Sequence, residues 1–542
     1  MDSRAQELIR QGDSLFGKKS SLLSLWQEIA DNFYPERADF TASRSLGSEF
    51  ADHLTNSYPL LARRDLGNSI GSILRPNSKE WMKMWPARAE EVDHESRGWL
   101  EWATGVQRRA MYDRVAQFTR ATKEGDHDFA AFGQCVITVE LNKAGDALLY
   151  RCWHLRDVAW CEGVDGAIDT VHRKWRPTAR TLMQVFGNRV AQKVKEAITK
   201  DPYCEINCRH VVIPSDEYQG EKQWRTKYVS IYIDVDNGHV MEETGVRTMP
   251  YVIPRWQTVS GSQYAYSPAT VCALPDARLI QSMTRVLLEA GEKAVTPPML
   301  AVQEAIRSDI SVFAGGITWV DAEYDERLGE VLRPITQDKS GLPAGMEMQE
   351  GIRQMIAEAF YLNKLSLPMM AGDMTAFEVG QRVQEYIRQA MPIFEPMEAD
   401  YNGALCERTF DVLMHAGAFG PPDNIPEGLR GQDIEFRFES PLREAIGRQK
   451  GQLFLEAKSM LAAAVDLDAS VAGMVDAIGT MRDVLEGIGV PAKWMRSEEE
   501  VQAIAEQNAQ KQQAQEMLAT MGQGAEVAEQ LGRAGQQAGA MI

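Results

Sequence analysis

The sequence predicts an α+β protein in which helix predominates, and three observations carry that expectation. Apolar residues recur at spacings of three and four at both ends of the chain, the period shortens to two between about 133 and 260, and two helical stretches farther on bracket an insert of about fifty residues. The chain has 542 residues, enough for a large buried core and for three or more domains at a prior of roughly 150 residues each.

The first helix is expected over residues 3–34, where Leu8, Ile9, Leu15, Phe16, Leu22, Leu23, Trp26, Ile29 and Phe33 mark one face until Pro35 stops the pattern. Within it lies GDSLFGKKS, Gly12 to Ser20, a near miss to a phosphate-binding loop. Lys19 stands where the magnesium-ligating hydroxyl belongs, and the stretch follows no strand, so a solvated pair of lysines on a helix face is the expected role. A second helix is expected over Leu54 to Leu74. It leads into RPNSKEWMKMWP, whose Trp81 and Trp85 suit packing better than base stacking.

CVITVEL and ALLYRCW flank the turn NKAGD, and VSIYIDVDNGHVMEET places Asn237-Gly238 between alternating runs, so both read as hairpins in an antiparallel β region with helices after Pro177. DVDNG has its glycine one place early for a calcium loop and reads as a turn. Cys152, His154, Cys161, Cys204, Cys208 and His210 lack the tight Cys-x-x-Cys pairing of structural zinc sites, and no metal or cofactor is expected.

Helices follow at 274–294, ended by Pro297-Pro298, and at 345–365, with a strand-and-turn insert between them whose ends must lie close together. The stripes of these two helices are apolar enough to need neighbours. After Pro368, Thr375 and Glu378 form a capping box that starts a long helix toward Gly417, kinked at Pro392 and Pro396. Helices are again expected from Pro441 to Leu485 and from 497 to about 520. The Gln-, Ala- and Gly-rich end, 513–542, is expected to be flexible.

Charge limits function. With 58 Lys and Arg against 77 Asp and Glu, the net charge is −19, so no global basic field attracts nucleic acid or an anionic membrane. Seven irregularly placed cysteines make no disulfide framework and fit a reducing cytoplasm. The N-terminus lacks a signal-peptide pattern, and no run approaches the roughly 18 apolar residues of a membrane span. An enzyme is not expected: no intact phosphate-binding loop, His-Glu-x-x-His helix or Gly-x-Ser-x-Gly elbow is present, and the carboxylates scattered over 126–169 make a weak case for a metal-dependent nuclease.

Over nearly its whole length the sequence resembles the portal, or head-to-tail connector, proteins of short-tailed double-stranded-DNA bacteriophages. The resemblance is carried by LWQEIADNFYPERADF, LGNSIGSILRPNSKEWMKMWP, TLMQVFG, VIPRWQTVSGSQYAYSPATVCALPDARLIQ, KAVTPPMLAV, MTAFEVGQR and IEFRFESPLREAIGRQK, in that order. It departs at Phe377, where the family commonly has a small residue.

The resemblance implies the portal fold, a ring of twelve subunits around a central channel at one capsid vertex. It assigns 1–270 to a wing completed by 376–440, 271–296 and 346–366 to stem helices, and 297–345 to a clip. It further assigns 367–375 to a tunnel loop and 441–512 to a helical crown. Pro368, Met369, Met370, Asp373, Met374 and Thr375 are then expected to face DNA in the channel, and Arg307, Arg327 and Arg333 to meet the tail adaptor. The implied partners are further copies of the chain, double-stranded DNA, a terminase motor, tail adaptor proteins, and capsid and scaffold proteins, with assembly in the host cytoplasm. An acidic lining suits such a channel, because every neutralised phosphate adds affinity that would act as a brake. A head-tail adaptor or tail protein is the alternative reading; an enzyme of packaging ranks below it.

Overall fold

The computed structural model describes residues 3–301, 306, 319, 332–334, 341–365 and 397–438 and parts of 455–511, the segments 44–46, 48–50, 78–79, 88–91 and 221–223 excepted. Two compact units result where length suggested three or more domains. The first is Met1–Trp81, Val106–Phe419 and Phe438–Leu442; the second is Met82–Gly105, Gly420–Arg437 and Arg443–Ile542. Both are discontinuous because segments far apart in sequence share one core.

The expected opening helix is in fact two, α1 (Ser3–Lys18) and α2 (Ser20–Phe33). The break falls at Lys19, and the expectation of solvated lysines fails there: Lys19 is 1% exposed. Its Nζ donates to the carbonyls of Leu155 (2.7 Å), Arg156 (3.1 Å) and Val158 (2.5 Å), so the three protons of the ammonium find three acceptors. Burial pushes its pKa down to about 7, with nearby Asp157 opposing. The two helices serve different neighbours: α1 buries Ala5 and Leu8 against the β region, and α2 buries Trp26 and Phe33 among Phe40, Phe132 and Phe360.

α3 (Tyr58–Leu74) begins four residues later than the spacing suggests, since 54–57 serve as a polar tie described below. α4 (His94–Met111) and α5 (Phe118–Phe132) follow β1 (Met82–Pro86). Trp81 is fully buried, its ring stacked on Phe118 at 6.5 Å and on Phe438 at 6.2 Å. β1 pairs with the strand Ile434–Phe438, and within the second unit the Arg437 guanidinium lies 4.4 Å over Trp85. Packing is therefore what these tryptophans do.

The β region forms two antiparallel sheets. β2 (Val136–Leu141) and β3 (Leu148–Trp153) make the first expected hairpin, with β9 (Tyr251–Val252) on the other edge of β2. The larger sheet runs β4 (Val158–Glu162), β5 (Ile168–Trp175), β6 (Cys208–Pro214), β7 (Tyr228–Asp234), β8 (His239–Val246). The β7–β8 turn is the Asn237-Gly238 turn: Asp234 accepts from the Asn237 amide at 3.1 Å and its Nδ2 at 2.7 Å, and Gly238 has φ +59°.

Both faces of this sheet are covered, which is why its strands read as nearly continuous apolar runs. Val211, Ile213, Val229, Ile231 and Ile233 meet Ala5 and Leu8 of α1. The opposite side packs on α6 (Ala179–Phe186) and α7 (Gln192–Lys200) through Cys208, Met241 and Tyr232. The six Cys and His residues weighed as zinc ligands do not converge. His210 stacks on Tyr232 (4.0 Å) and bonds Ser230 Oγ (2.8 Å), His154 pairs with Asp39, Cys152 Sγ lies 3.8 Å from Asp128, and Cys204 and Cys208 belong to the α6–α7 core. All seven cysteines are free thiols.

α8 (Pro268–Val295) and α9 (Gly341–Ala359) are longer at their start than the sequence suggests. The chain breaks after α9, where Tyr361 takes φ +57°, and resumes as the short α10 (Leu362–Leu365). The insert begins and ends as β10 (Met299–Ala301) paired with β11 (Leu332–Pro334), so its ends do meet. The long helix expected toward Gly417 is described from 397 onward, where a π turn (Glu398–Gly403) precedes α11 (Ala404–His415). Its capping box, Pro392 and Pro396 lie outside the described residues. Of the helical C-terminal region the clearest element is α12 (Ala477–Ile488) in the second unit. No described helix is long and apolar enough to cross a membrane.

Candidate functional site: the α8–α9 hairpin

α8 is planted in the core of the first unit at its start. Ser267 caps it by accepting from the Thr270 amide, while the Ser267 and Thr270 hydroxyls donate to the carbonyls of Ala130 and Ala131 at the end of α5 (2.7 and 2.8 Å). Gly133 makes this approach possible. It has φ +73°, and a Cβ there would meet the Tyr266 carbonyl carbon at 2.1 Å.

From that root α8 runs antiparallel to α9. Gly345 sits against Leu287, and Gln349 Nε2 donates to Thr284 Oγ1 at 2.7 Å. The same hydroxyl accepts from Asn56 Nδ2 at 3.1 Å and donates to the Ile280 carbonyl at 2.7 Å. One turn earlier Gln281 Oε1 accepts the amides of Thr55 and Asn56, both at 2.8 Å, and its Nε2 returns a bond to the Asn56 carbonyl at 2.7 Å. Segment 54–57 is thus stitched to the hairpin, which explains the late start of α3. On that same side α9 packs on α3, with Ile352 and Ile356 buried.

The two helices leave apolar residues in solvent. At about 100° per residue, Cys272, Leu279, Met283 and Val286 fall on one flank of α8, turned away from the α3 side. Ala344, Met348, Gly351 and Met355 fall on the flank of antiparallel α9 that points the same way. Val286 is 63% exposed and Met348 62%, so the two flanks make one uncovered apolar face. A second apolar patch lies on the opposite side, toward the far end: Leu288, Met346 and Val295, the last 82% exposed. Monomers seldom leave such faces wet.

Charge lies outward. α9 presents Glu347, Glu350 and Glu358, with Arg353 on Glu350 at 3.3 Å; α8 presents Arg285 and Arg278, whose Nε donates to Glu28 at 2.7 Å. Burial, with Glu350 second, raises the Tyr58 phenol above its usual pKa. Among the described residues no group of three or more His, Cys, Asp or Glu side chains comes together as a metal would require.

Of the residues singled out from sequence, Pro368, Met369, Met370, Asp373, Met374 and Thr375 lie outside the described residues, as do Arg307 and Arg327. Arg333 lies on β11 opposite Leu300. The stripes of the two helices were visible in the spacing. The fact that they share one face emerges only once the antiparallel register is known.

A family model described as bacteriophage head to tail connecting protein matches residues 5–495. Two curated relatives align over nearly their whole lengths. A probable portal protein of Bordetella phage BPP-1 is 24% identical over 97% of this chain and 95% of its own. The portal protein of Salmonella phage epsilon15 is 22% identical over 97% and 94%. Among solved structures, the virion of a native gene transfer agent particle contains a chain at 11% identity and TM-score 0.33, covering 75% of this chain and 86% of that one. The neck of an empty particle of that agent gives 11% and 0.35 at the same coverage.

Proposed function

The chain belongs to the bacteriophage head to tail connecting protein family, and from that membership we propose that it is a portal protein. Copies of it form a ring at one capsid vertex through which genomic DNA enters and leaves, driven by a separate terminase motor and closed by tail adaptor proteins. It does no chemistry of its own.

The observation that supports the ring is the pair of apolar faces on opposite sides of the α8–α9 hairpin. A two-fold dimer needs one self-complementary patch, whereas two different patches facing opposite ways pair head to tail, the contact from which a ring forms when the rotation between neighbours closes. Twelve subunits would carry a formal charge of roughly −230, which keeps phosphates off the wall. In this reading 367–375 form the loop that touches passing DNA, with Met369, Met370 and Met374 offering polarisable side chains without fixed cations. Arg307, Arg327 and Arg333 face the tail adaptor, and the particle is assembled with capsid and scaffold proteins in the host cytoplasm. A head-tail adaptor remains the second reading, since the matched family is named for that junction.

The test is native mass spectrometry on two blocked forms. Leu279→Glu with Val286→Glu spoils one face, and Leu288→Glu with Val295→Glu spoils the other. Wild type should give a closed ring near twelve subunits, each blocked form monomers, and an equal mixture heterodimers that grow no further. Rings from both blocked forms would sink the assignment.

A further inference from the structure

The turn between α4 and α5 lines an open concavity of about 390 Å³. Met111 and Phe118 form its apolar floor, both almost fully buried, and Arg114, Gln117, Thr119 and Arg120 supply polar groups to its wall. The frame is rigid. Tyr112 packs edge-on against Phe118 at 5.2 Å and accepts a bond from Trp81 Nε1 at 3.0 Å, while the Ala116 carbonyl accepts the Tyr150 amide at 2.9 Å.

The local charge runs against that of the protein. Residues 107–124 hold Arg108, Arg109, Arg114, Arg120 and Lys123 against two acids, Asp113 and Glu124, in a chain of net −19. Asp113 Oδ1 is occupied, accepting the Val115 amide at 2.8 Å. Arg120 is oriented by Glu124 through its Nε at 3.2 Å. Among the described residues Arg114, Arg109 and Lys123 make no ion pair or hydrogen bond with an acid. Two guanidinium groups, a hydroxyl and an amide around one concavity suit a tetrahedral oxyanion, which accepts from several directions, better than a planar carboxylate that one fork satisfies.

We propose that this concavity binds a phosphate group, supplied by a nucleic-acid backbone or by free phosphate. A fork-lined concavity holds its anion in place, so the site is a resting contact and not part of a sliding surface. The proposal does not depend on ring assembly.

The test uses the full-length protein, a short labelled DNA duplex followed by fluorescence anisotropy, and inorganic phosphate followed by thermal shift. Arg114→Ala with Arg120→Ala is compared with Arg225→Ala plus Arg247→Ala, which removes equal charge elsewhere. Loss of the two cavity arginines should weaken duplex binding roughly tenfold at low salt and reduce the salt slope by about two, the control pair having little effect. If duplex binding is unchanged but phosphate stabilises wild type and not the cavity variant, free phosphate is the ligand. Equal losses in both double variants, or no phosphate response and no change in duplex binding, would overturn the proposal. The replaced arginines are exposed, and circular dichroism checks that both variants fold.

Discussion

Gln349 Nε2 on α9 donates to Thr284 Oγ1 on α8 at 2.7 Å, and that hydroxyl is fully used, because it also accepts from Asn56 and donates to Ile280. One threonine therefore ties both helices of the hairpin to segment 54–57. Thr284→Val should cost about 1 to 3 kcal/mol, since two donors lose their acceptor, whereas Thr284→Ser should cost well under half of that. Thermal unfolding of the two variants, with hydrogen exchange on α9, measures the difference; equal losses would show that the methyl group and not the hydroxyl matters.

Lys19 gives a pH dependence with a definite sign. Its pKa is lowered by burial from 10.5 to about 7, so between these values the unfolded chain holds a proton that the folded chain sheds. Folding is penalised in full below pH 7 and the penalty is relieved as pH rises toward 10.5. Unfolding free energies from urea titrations at pH 7.5, 8.5 and 9.5 should therefore rise for wild type relative to Lys19→Met, by up to about 1.4 kcal/mol per pH unit. Parallel curves would mean that the three carbonyls keep the ammonium charged throughout.

A buried ion pair supports the π turn. Arg75 is paired with Asp126, donates from Nη1 to Asn402 Oδ1 at 2.7 Å and lies 4.6 Å over the Tyr401 ring. Burial holds the Asp126 carboxyl above its usual pKa while Arg75 opposes the shift. Arg75→Met alone should cost about 3 to 5 kcal/mol by stranding the carboxylate, and Arg75→Met with Asp126→Leu much less. Chemical denaturation of the four-member cycle decides; additive losses would mean that the two side chains act independently.

Much of the fold was legible because its signals are local. Asn237-Gly238 needs only neighbouring residues to make its turn, and the CVITVEL–ALLYRCW hairpin only its own alternation. Lys19 shows the limit. Its acceptors lie at 155–158, far along the chain, and nothing in GDSLFGKKS distinguishes a lysine that finds them from one in water. The same holds for the hairpin: spacing exposes two stripes, but only the close approach of Gly345 to Leu287 fixes the register that merges them. The break at Tyr361 has no sequence signal, since the left-handed residue there is neither glycine nor asparagine.

The root of α8 has a mechanical meaning. The hairpin is held at one end by two hydroxyls on the last carbonyls of α5 and by a glycine with no room for a side chain, and it is tied part-way along by Gln281 and Thr284. It is a cantilever braced along one side, by segment 54–57 and by the packing of α9 on α3. A load on its free end arrives as torque at Ala130 to Gly133, and from there the chain leads directly into β2, so the strain is passed to a sheet that resists shear and not dissipated in a loop. The stiffness of the hairpin is therefore set more than a hundred residues upstream of its tip.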